Sequence, residues 1–262
     1  MQKKVIITRK MTLNKKNKFF QGEKTSSVFS GKGYSKTTRE AYEKSAKYFS
    51  KIIRTELPDK TIKYTFADFG CYKGELLQNV LNQLKNYNFY TIGIDTKANL
   101  QENNVAQEKI SGNLTNLPLK NNSVDCGMMR YVLQWNNLKD QEKILKEVYR
   151  VIKNFVIIQH TGPDNLYPEK WRIKFNELFT GKQIKKLKRT GGFFSSQNEI
   201  EKILLKNKIN FKLLSSKKIK SASDVFIERF GLSKQEAEIT RNILADKDYS
   251  IQTTWLLKQN IK

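Results

Sequence analysis

Short apolar runs alternate along the chain with segments that have apolar residues at helical spacing. This alternation predicts strands followed by helices. Runs such as IKYTFADFG and FYTIGID are short and rich in β-branched and aromatic residues, as in strands. ELLQNVLNQLKN and LKDQEKILKEVYRVIK place apolar residues at helical spacing. NFVIIQHT is continuously apolar, which is typical of a strand buried on both faces. This order predicts βαβ units, a parallel sheet with helices on both faces, and ligand binding at one edge of the sheet.

The remaining patterns extend the same α/β domain. SKTTREAYEKSAKYFSKIIRTEL opens with Ser and Thr capping candidates and predicts a helix that ends before Pro58. KISGN predicts a short third strand, and NNSVDCGMMRYVLQW a buried fourth one. Towards the C-terminus, SQNEIEKILLKNKI predicts a helix, NFKLLSSKKI a strand, SASDVFIERFGLSKQEAEITRNIL a helix broken at Gly231, and YSIQTTWLLKQ a closing strand.

Two segments depart from this alternation. Residues 1–34 are basic and poor in acids, which fits either an organellar transit peptide or a basic arm; we favour the arm because Arg is scarce in it. Residues 161–195 contain prolines, glycines, aromatics and a basic run, and we predict an insertion or lid after the fifth strand. One domain is therefore expected over residues 35–262.

Composition limits the possible binding partners and the cellular compartment only in part. The 262-residue chain has a formal net charge of +24, which indicates either an anionic partner such as nucleic acid or an AT-rich genome. The 40 Lys outnumber the 9 Arg, although phosphate-recognition surfaces favour Arg, and Asn and Ile are abundant too. The two cysteines, Cys71 and Cys126, show no metal-ligand spacing, so we expect no metal and a reducing compartment. No apolar run is long enough for a membrane helix, so we expect a soluble, cytoplasmic protein, with a mitochondrion or another organelle as the alternative.

Polar residues follow three of the predicted strands. In the loop DFGCYKG, residues 68–74, glycines allow close backbone approach, and the helix N-terminus beyond them favours a negative group such as a carboxylate. Asp95 lies 21 residues beyond Gly74, where a carboxylate can accept hydrogen bonds from ribose hydroxyls or can cap a helix. Asn113 and the backbone N–H of Leu114 follow the third strand, where they can read an adenine edge.

These pieces resemble the class I S-adenosylmethionine-dependent methyltransferases, in particular the branch called methyltransferase type 11. That branch has D-x-G-C-G-x-G, a strand ending in D, G-D-A-x-x-L-P-F, S-F-D with a strand ending near L-H-W, and E-x-x-R-V-L-K-P-G-G. This chain has DFGCYKG, IGID, GNLTNLPL, NSVD…VLQW and EVYRVIKN, over about residues 64–160. A dinucleotide-binding dehydrogenase would share only the first two pieces. The resemblance implies an enzyme with S-adenosylmethionine as cofactor and an α/β, Rossmann-like sheet of seven mostly parallel strands flanked by helices, with the last strand antiparallel.

The resemblance also implies roles for individual residues. The glycine loop would line the methionine part of the cofactor, with Asp68 orienting the loop or contacting the amino group. Asp95 would hold the ribose, and Asn113 and Leu114 would flank the adenine. The implied cofactor site comprises Asp68, Gly70, Cys71, Tyr72, Gly74, Asp95, Thr96, Asn113, Leu114, Met129 and Arg130.

Three features depart from the family pattern. Tyr72 replaces the usual middle glycine, so the turn must accept a Cβ and a ring. Asn113 replaces the usual Asp and would accept from adenine without charge assistance, at a cost of about 1 kcal/mol. IKNFVII lacks the usual P-G-G, so that turn must be built differently. These departures keep open a non-catalytic binding or assembly protein as an alternative.

The resemblance places Met129 and Arg130 at the methyl-transfer end, and Arg130 is also a catalytic candidate. Methyl transfer from a sulfonium is an in-line displacement that needs a general base only when the nucleophile carries a proton. His160 is the only histidine and ends the fifth strand, where it either deprotonates a hydroxyl or amine or simply closes the strand.

Two acceptor classes compete, and we favour a small molecule with an oxygen or nitrogen nucleophile. It would be enclosed by the helix around Tyr42 and by the insertion, whose aromatic residues are lid or core: Trp171, Phe175, Phe179, Phe193 and Phe194. RNA is the alternative, bound by the N-terminal arm and by Lys182, Lys185, Lys186, Lys188 and Arg189. The sequence has neither an Asp/Asn-Pro-Pro-aromatic motif nor a Pro-Cys nucleophile, which argues against methylation of exocyclic amines and of cytosine carbon.

Overall fold

The structure is a computed structural model, and it describes residues 36–100, 102, 104–177, 192–220, 227, 232–244 and 249–259. Several predictions of the sequence analysis fall outside these residues: the basic arm over 1–34, Phe179, the basic residues from Lys182 to Arg189, and the break at Gly231. The side chain of Phe175 is also outside them.

Seven strands form one sheet in the described part of the chain, and each overlaps the run predicted for it. They are β1 Lys63–Phe69, β2 Asn88–Asp95, β3 Glu108–Ser111, β4 Val124–Arg130, β5 Ile152–Gly162, β6 Phe211–Lys220 and β7 Tyr249–Lys258.

Six α-helices accompany the sheet within the described ranges. They are α1 Lys36–Glu56, α2 Glu75–Gln83, α3 Leu138–Val151, α4 Pro168–Glu177, α5 Gln197–Lys206 and α6 Lys234–Leu244. Helix α5 begins with a capping box, in which Ser196 accepts from the backbone of Glu199 and Glu199 accepts from the backbone of Ser196. Helix α4 was not predicted as a helix, because its sequence was read only as part of the 161–195 insertion.

The strand order β3-β2-β1-β4-β5-β7-β6 confirms the predicted Rossmann-like sheet. β7 runs antiparallel to both neighbours, and the other described pairings are parallel. Because β1 to β5 are parallel, their C-terminal ends meet at one edge, with the direction of the chain order reversing between β1 and β4. The loop after β1, Asp95 and Arg130 therefore share this edge, as predicted for the ligand side of the sheet.

Apolar side chains cover both faces of the sheet. On one face, α1 and α2 contribute Phe49, Ile53 and Leu77, all fully buried, to a cluster around β1 and β4. On the other face, α3 and α5 contribute residues such as Val148 and Ile200. Each such side chain stabilises the fold by about 1.5–3 kcal/mol relative to exposure. None of the helices in the described residues is long and apolar enough to cross a membrane.

Helix α3 passes into β5 without an intervening loop. Ile152 is the C-cap of the helix, and its backbone N–H donates to the Val148 carbonyl. The same residue has φ −76° and ψ 139° and is the first residue of the strand. The missing P-G-G sequence thus corresponds to a direct helix-to-strand junction, which explains why β5 begins two residues before the run NFVIIQHT.

Candidate active site

The loop after β1 concentrates left-handed backbone at the ligand edge. Gly70, Tyr72 and Gly74 have φ values of 81°, 46° and 76°. A Cβ on Gly70 would lie 2.3 Å from Cγ2 of Val132, and one on Gly74 would lie 2.8 Å from Oδ1 of Asn104. Both glycines are therefore required by close packing inside the protein as well as by the backbone.

The exit of β2 holds this loop in place. The carbonyl of Ile94 accepts from the backbone N–H of Gly70 at 2.7 Å and from that of Cys71 at 3.2 Å. Oδ2 of Asp95 accepts from the backbone N–H of Tyr72 at 2.9 Å. For a non-glycine residue such as Tyr72, left-handed backbone costs of order 1–3 kcal/mol. The hydrogen bond that holds Tyr72 in this conformation is accepted by Asp95, the residue implied to bind ribose.

Asp95 is nearly buried, with 8% of its surface exposed. Besides Tyr72, it accepts from the backbone N–H of Thr96 at 2.7 Å and from Nδ2 of Asn99 at 3.2 Å, both at Oδ1. Burial raises its pKa, and these hydrogen bonds oppose the rise. A carboxylate offers about four acceptor positions, so three internal donors leave room for one more hydrogen bond unless a donor is displaced.

Asp68 is a second buried carboxyl at this edge, with 3% exposure. Burial raises its pKa to about 8, the negative charge of Asp95 adds to the rise, and the positive charge of Arg130 opposes it. Asp68 pairs in register with Gly93 of β2 and Met128 of β4, in the middle of the sheet. A nearby positive charge favours the ionised form of a carboxyl. A positively charged ligand would therefore stabilise Asp68 and Asp95 as carboxylates.

Asn104 connects the loop to the segment before β3, and sequence reasoning missed it. Its Nδ2 donates to the carbonyl of Tyr72 at 3.0 Å and to Sγ of Cys71 at 3.2 Å, while its Oδ1 accepts from the backbone N–H of Ala106 at 2.9 Å. Only 4% of Asn104 is exposed. Burial raises the pKa of the Cys71 thiol, which is therefore protonated and acts here as a small packing group.

The exit of β3 lies beside that of β2, because the backbone N–H of Gly112 donates to the carbonyl of Asp95 at 2.9 Å. Asn113 is exposed, and its Oδ1 accepts from the backbone N–H of Thr115 at 3.0 Å. Leu114 is buried, with 8% exposure, and belongs to the apolar core. The ends of β1, β2 and β3, where the sequence predicted polar residues, are thus adjacent, and the exposed amide of Asn113 lies at the end of β3.

Arg130 ends β4 and makes contacts on both sides. Its Nε donates to Oγ of Ser45 and to Oε1 of Gln159, both at 3.0 Å. Its guanidinium carbon lies 4.9 Å from the ring centre of Tyr42 and 4.0 Å from that of Tyr131. The preceding residue, Met129, is fully buried in the core.

His160 is buried near the end of β5, with 2% exposure. Its Nε2 lies 2.9 Å from the carbonyl of Ser195, so Nε2 carries the proton and donates. Burial lowers its pKa to about 4, which keeps the imidazole neutral at neutral pH. The nitrogen left to accept a proton is Nδ1, which is buried without a hydrogen-bond partner among the described residues.

A cage of polar contacts holds residues 193–195, which lead from the insertion into α5. Gln141, fully buried in α3, donates to the carbonyl of Phe193 at 2.6 Å and accepts from Oγ of Ser195 at 2.6 Å. Arg172 of α4 donates to the carbonyl of Phe194 at 3.0 Å. The ring of Phe194 lies 5.5 Å from that of Trp171, so these two aromatic residues form core.

Residues 67–157 match a protein family described as "Methyltransferase domain". This part of the chain therefore matches a methyltransferase domain, and the sheet has the class I methyltransferase fold. Solved structures with the same fold include the YcgJ protein from Bacillus subtilis, with a TM-score of 0.59 and 16% identity over 81% of this chain and 99% of that one. Loganic acid methyltransferase with SAH has a TM-score of 0.54 and 14% identity over 88% of this chain and 99% of that one.

A third structure of this fold is geranyl diphosphate C-methyltransferase from Streptomyces coelicolor A3(2), in complex with Mg²⁺, geranyl diphosphate and S-adenosyl-L-homocysteine. Its TM-score is 0.55, with 10% identity over 89% of this chain and 88% of that one. Among curated protein sequences, none matches this chain.

The structure brings most of the residues implied for the cofactor to one edge of the methyltransferase sheet. The loop from Asp68 to Gly74, Asp95 with Thr96, and Asn113 follow three adjacent strands, and Arg130 ends the next strand in the sheet. Leu114 and Met129 lie in the apolar core below that edge. His160 lies behind residues 193–195, against the Ser195 carbonyl. The roles implied for these residues stay predictions.

Proposed function

We propose that this methyltransferase transfers the methyl group of S-adenosylmethionine to an oxygen or nitrogen of a small-molecule acceptor. The observation that carries the proposal is the pair of buried carboxyls, Asp68 and Asp95, beside the loop at the reversal point of the sheet. Their raised pKa values favour a ligand with positive charge, and the cofactor carries both an ammonium and a sulfonium group. The two carboxyl groups therefore fit this cofactor.

In this proposal Asp68 faces the ammonium group, Asp95 accepts from the ribose, and Asn113 offers its amide to the adenine. The loop with Gly70 and Gly74 lines the methionine part. When bound, S-adenosylmethionine supplies an electrophilic methyl group on an excellent leaving group. The remaining task of the protein is to align the acceptor and exclude water.

The wall beside the methyl-transfer end supports a small acceptor. Trp171 and Phe194 pack together, and Trp135, which follows β4, lies 6.3 Å from Phe194, so the connections after β4 and β5 share one apolar cluster. Two enzymes of the same fold are named for small molecules, loganic acid and geranyl diphosphate. The RNA alternative depends on the basic residues from Lys182 to Arg189, which lie outside the described residues.

His160 is the general base in this proposal if the acceptor reacts as a hydroxyl or a protonated amine. Its neutral imidazole has a free electron pair at Nδ1, because Nε2 donates to Ser195. Contact with an acceptor then requires a displacement of the side chains that bury Nδ1. An acceptor that is already ionised needs no such step.

The test has two stages. Calorimetry with S-adenosylmethionine and with S-adenosylhomocysteine should give saturable binding of one molecule per chain. Tritiated methyl from S-adenosylmethionine should then enter a low-molecular-weight extract and not total RNA from the same cells. Label in RNA would replace the small acceptor by the RNA alternative, and absence of cofactor binding would leave the non-catalytic alternative.

A further inference from the structure

Arg130 differs from the other arginines that the structure describes away from solvent. Arg150 pairs with Glu147 at 2.8 Å, and Arg172 pairs with Glu199 at 2.9 Å. Arg130 is half-buried, yet no carboxylate oxygen among the described residues lies within 4.0 Å of it. Arg130 does interact electrostatically with the buried Asp68 carboxyl, but over more than 4.0 Å and without an ion pair. A partly buried guanidinium without a direct ion pair is costly.

Neutral contacts hold the Arg130 side chain in one orientation. Ser45 and Gln159 both accept from Nε, and Gln159 is itself fixed by donating to Oγ1 of Thr254 at 3.3 Å. The guanidinium plane is flanked by Tyr42 and Tyr131. These contacts orient the group without neutralising it. The four N–H groups on Nη1 and Nη2 have no acceptor among the described residues, so the fork remains available.

Arg130 ends β4, across the reversal point from the strands whose exits are proposed for the cofactor. The residues proposed for the cofactor follow β1, β2 and β3, on one side of the reversal point. The anchors of Arg130 come from the other elements: Ser45 from α1, Gln159 from β5 and Thr254 from β7. A ligand group bound to the Arg130 fork would therefore lie beside the cofactor instead of within its binding loop.

We propose that Arg130 binds an anionic oxygen group of the methyl acceptor, a carboxylate or a phosphate, and thereby determines which acceptors are accepted. A guanidinium with fixed orientation suits such groups because two parallel N–H donors match two oxygens. This inference rests on the proposed function. It goes beyond it by naming the chemical class of the acceptor and the residue that selects it. The carboxylate of the cofactor is a second anionic group that Arg130 could bind. The experiment must therefore distinguish binding of the cofactor carboxylate from binding of an acceptor anion.

Arginine Nε–H signals allow a direct test, because the chain has only 9 arginines. The protein saturated with S-adenosylhomocysteine is titrated with acetate and with inorganic phosphate, and the Arg130 signal is identified by its loss in Arg130→Lys. We expect a saturable shift of that signal. Arg54, which is exposed on α1 and donates to the Gln83 carbonyl, is the matched control and should show no saturable shift. Absence of a saturable shift at Arg130 would overturn the proposal.

Calorimetry then separates the two sources of the anion. S-adenosylhomocysteine and 5′-methylthioadenosine, which lacks the amino-acid part, are bound to wild type, Arg130→Gln and Arg54→Gln. We expect Arg54→Gln to leave both affinities within twofold and Arg130→Gln to change the two affinities by similar factors. A loss of tenfold or more for S-adenosylhomocysteine alone in Arg130→Gln would assign the cofactor carboxylate to Arg130 and overturn the proposal. Wild type that binds no S-adenosylhomocysteine would contradict the proposed function; the anion titration without it would still decide the role of Arg130.

Discussion

The backbone N–H of Tyr72 donates to Oδ2 of Asp95 over 2.9 Å, and this bond joins the exits of β1 and β2. Tyr72 has left-handed backbone, and Asp95 also accepts from Thr96 and Asn99. The residue implied to hold the ribose is therefore also the residue that holds the loop. Changes at Asp95 act on the site twice, through the ligand and through the loop.

Replacement of Asp95 should weaken cofactor binding strongly. Asp95→Ala removes the acceptor of three hydrogen bonds and the proposed ribose contact, so the loop is no longer fixed. We expect at least a tenfold loss of affinity for S-adenosylmethionine, measured by calorimetry. Asp125→Ala is the control, since Asp125 also accepts from a backbone N–H, that of Thr65, but at the opposite end of β4. Equal affinities for the two variants would contradict the assignment.

The backbone strain at Tyr72 can be measured by comparing two variants. Tyr72→Gly and Tyr72→Ala both remove the ring, but only glycine adopts a φ of 46° without a steric cost. We therefore expect Tyr72→Gly to be more stable than Tyr72→Ala by about 1 kcal/mol in urea unfolding. At an ordinary position with negative φ the order would be reversed, so the sign of the difference decides.

Asp68 should make the protein less stable as pH rises. Its carboxyl has a pKa near 3.8 when unfolded and about 8 when folded. The unfolded chain therefore loses its proton first, and the free energy of unfolding contributed by Asp68 falls between about pH 4 and pH 8. Because each pKa unit corresponds to about 1.4 kcal/mol, Asp68→Asn should raise that free energy by at least about 2 kcal/mol at pH 8 and by little at pH 4. Urea unfolding at several pH values would contradict this if the curves of the two proteins ran parallel.

Gln141 should be essential for the attachment of the insertion to the sheet domain. Gln141→Leu removes the donor to the Phe193 carbonyl and the acceptor of the buried Ser195 hydroxyl. The Asn136 carbonyl also loses Gln141 but still accepts from the backbone N–H of Phe193. We expect a loss of about 3 kcal/mol in the free energy of unfolding. Gln78→Leu on the exposed face of α2 is the matched control and should change that free energy by less than about 0.5 kcal/mol. If Gln141→Leu lowered the free energy of unfolding by as little as the control, the contacts of Gln141 would not be essential for holding residues 193–195.

Local pattern predicted the sheet well, because the apolar runs that form β1, β2 and β5 are buried on both faces. It also placed Asp95 and Asn113 at strand ends. The helix α4 escaped prediction because its sequence, PEKWRIKFNE, has weak amphipathic spacing within a segment rich in turn-forming residues. Its anchor, Arg172, is held by Glu199, 27 residues further along the chain.

Side-chain partners far apart in sequence could not be predicted. Asn104 contacts Tyr72 across 32 residues, and Ser45 contacts Gln159 across 114. A single polar residue in a loop carries no periodic signal, and its partner is set by the three-dimensional packing. The same holds for His160: the sequence placed it at the ligand edge, but its contact with Ser195 depends on how the insertion returns.

The direct junction between α3 and β5 has a consequence for how this domain can vary. Ile152 belongs to both elements, so no spare residue absorbs a change in length. A single deletion or insertion there would reverse the side-chain alternation of β5, turning the residues of one face of the central strand to the other. Gln159 and His160 would exchange sides, and the hydrogen bonds of Gln159 with Ser45 and Arg130 would be lost.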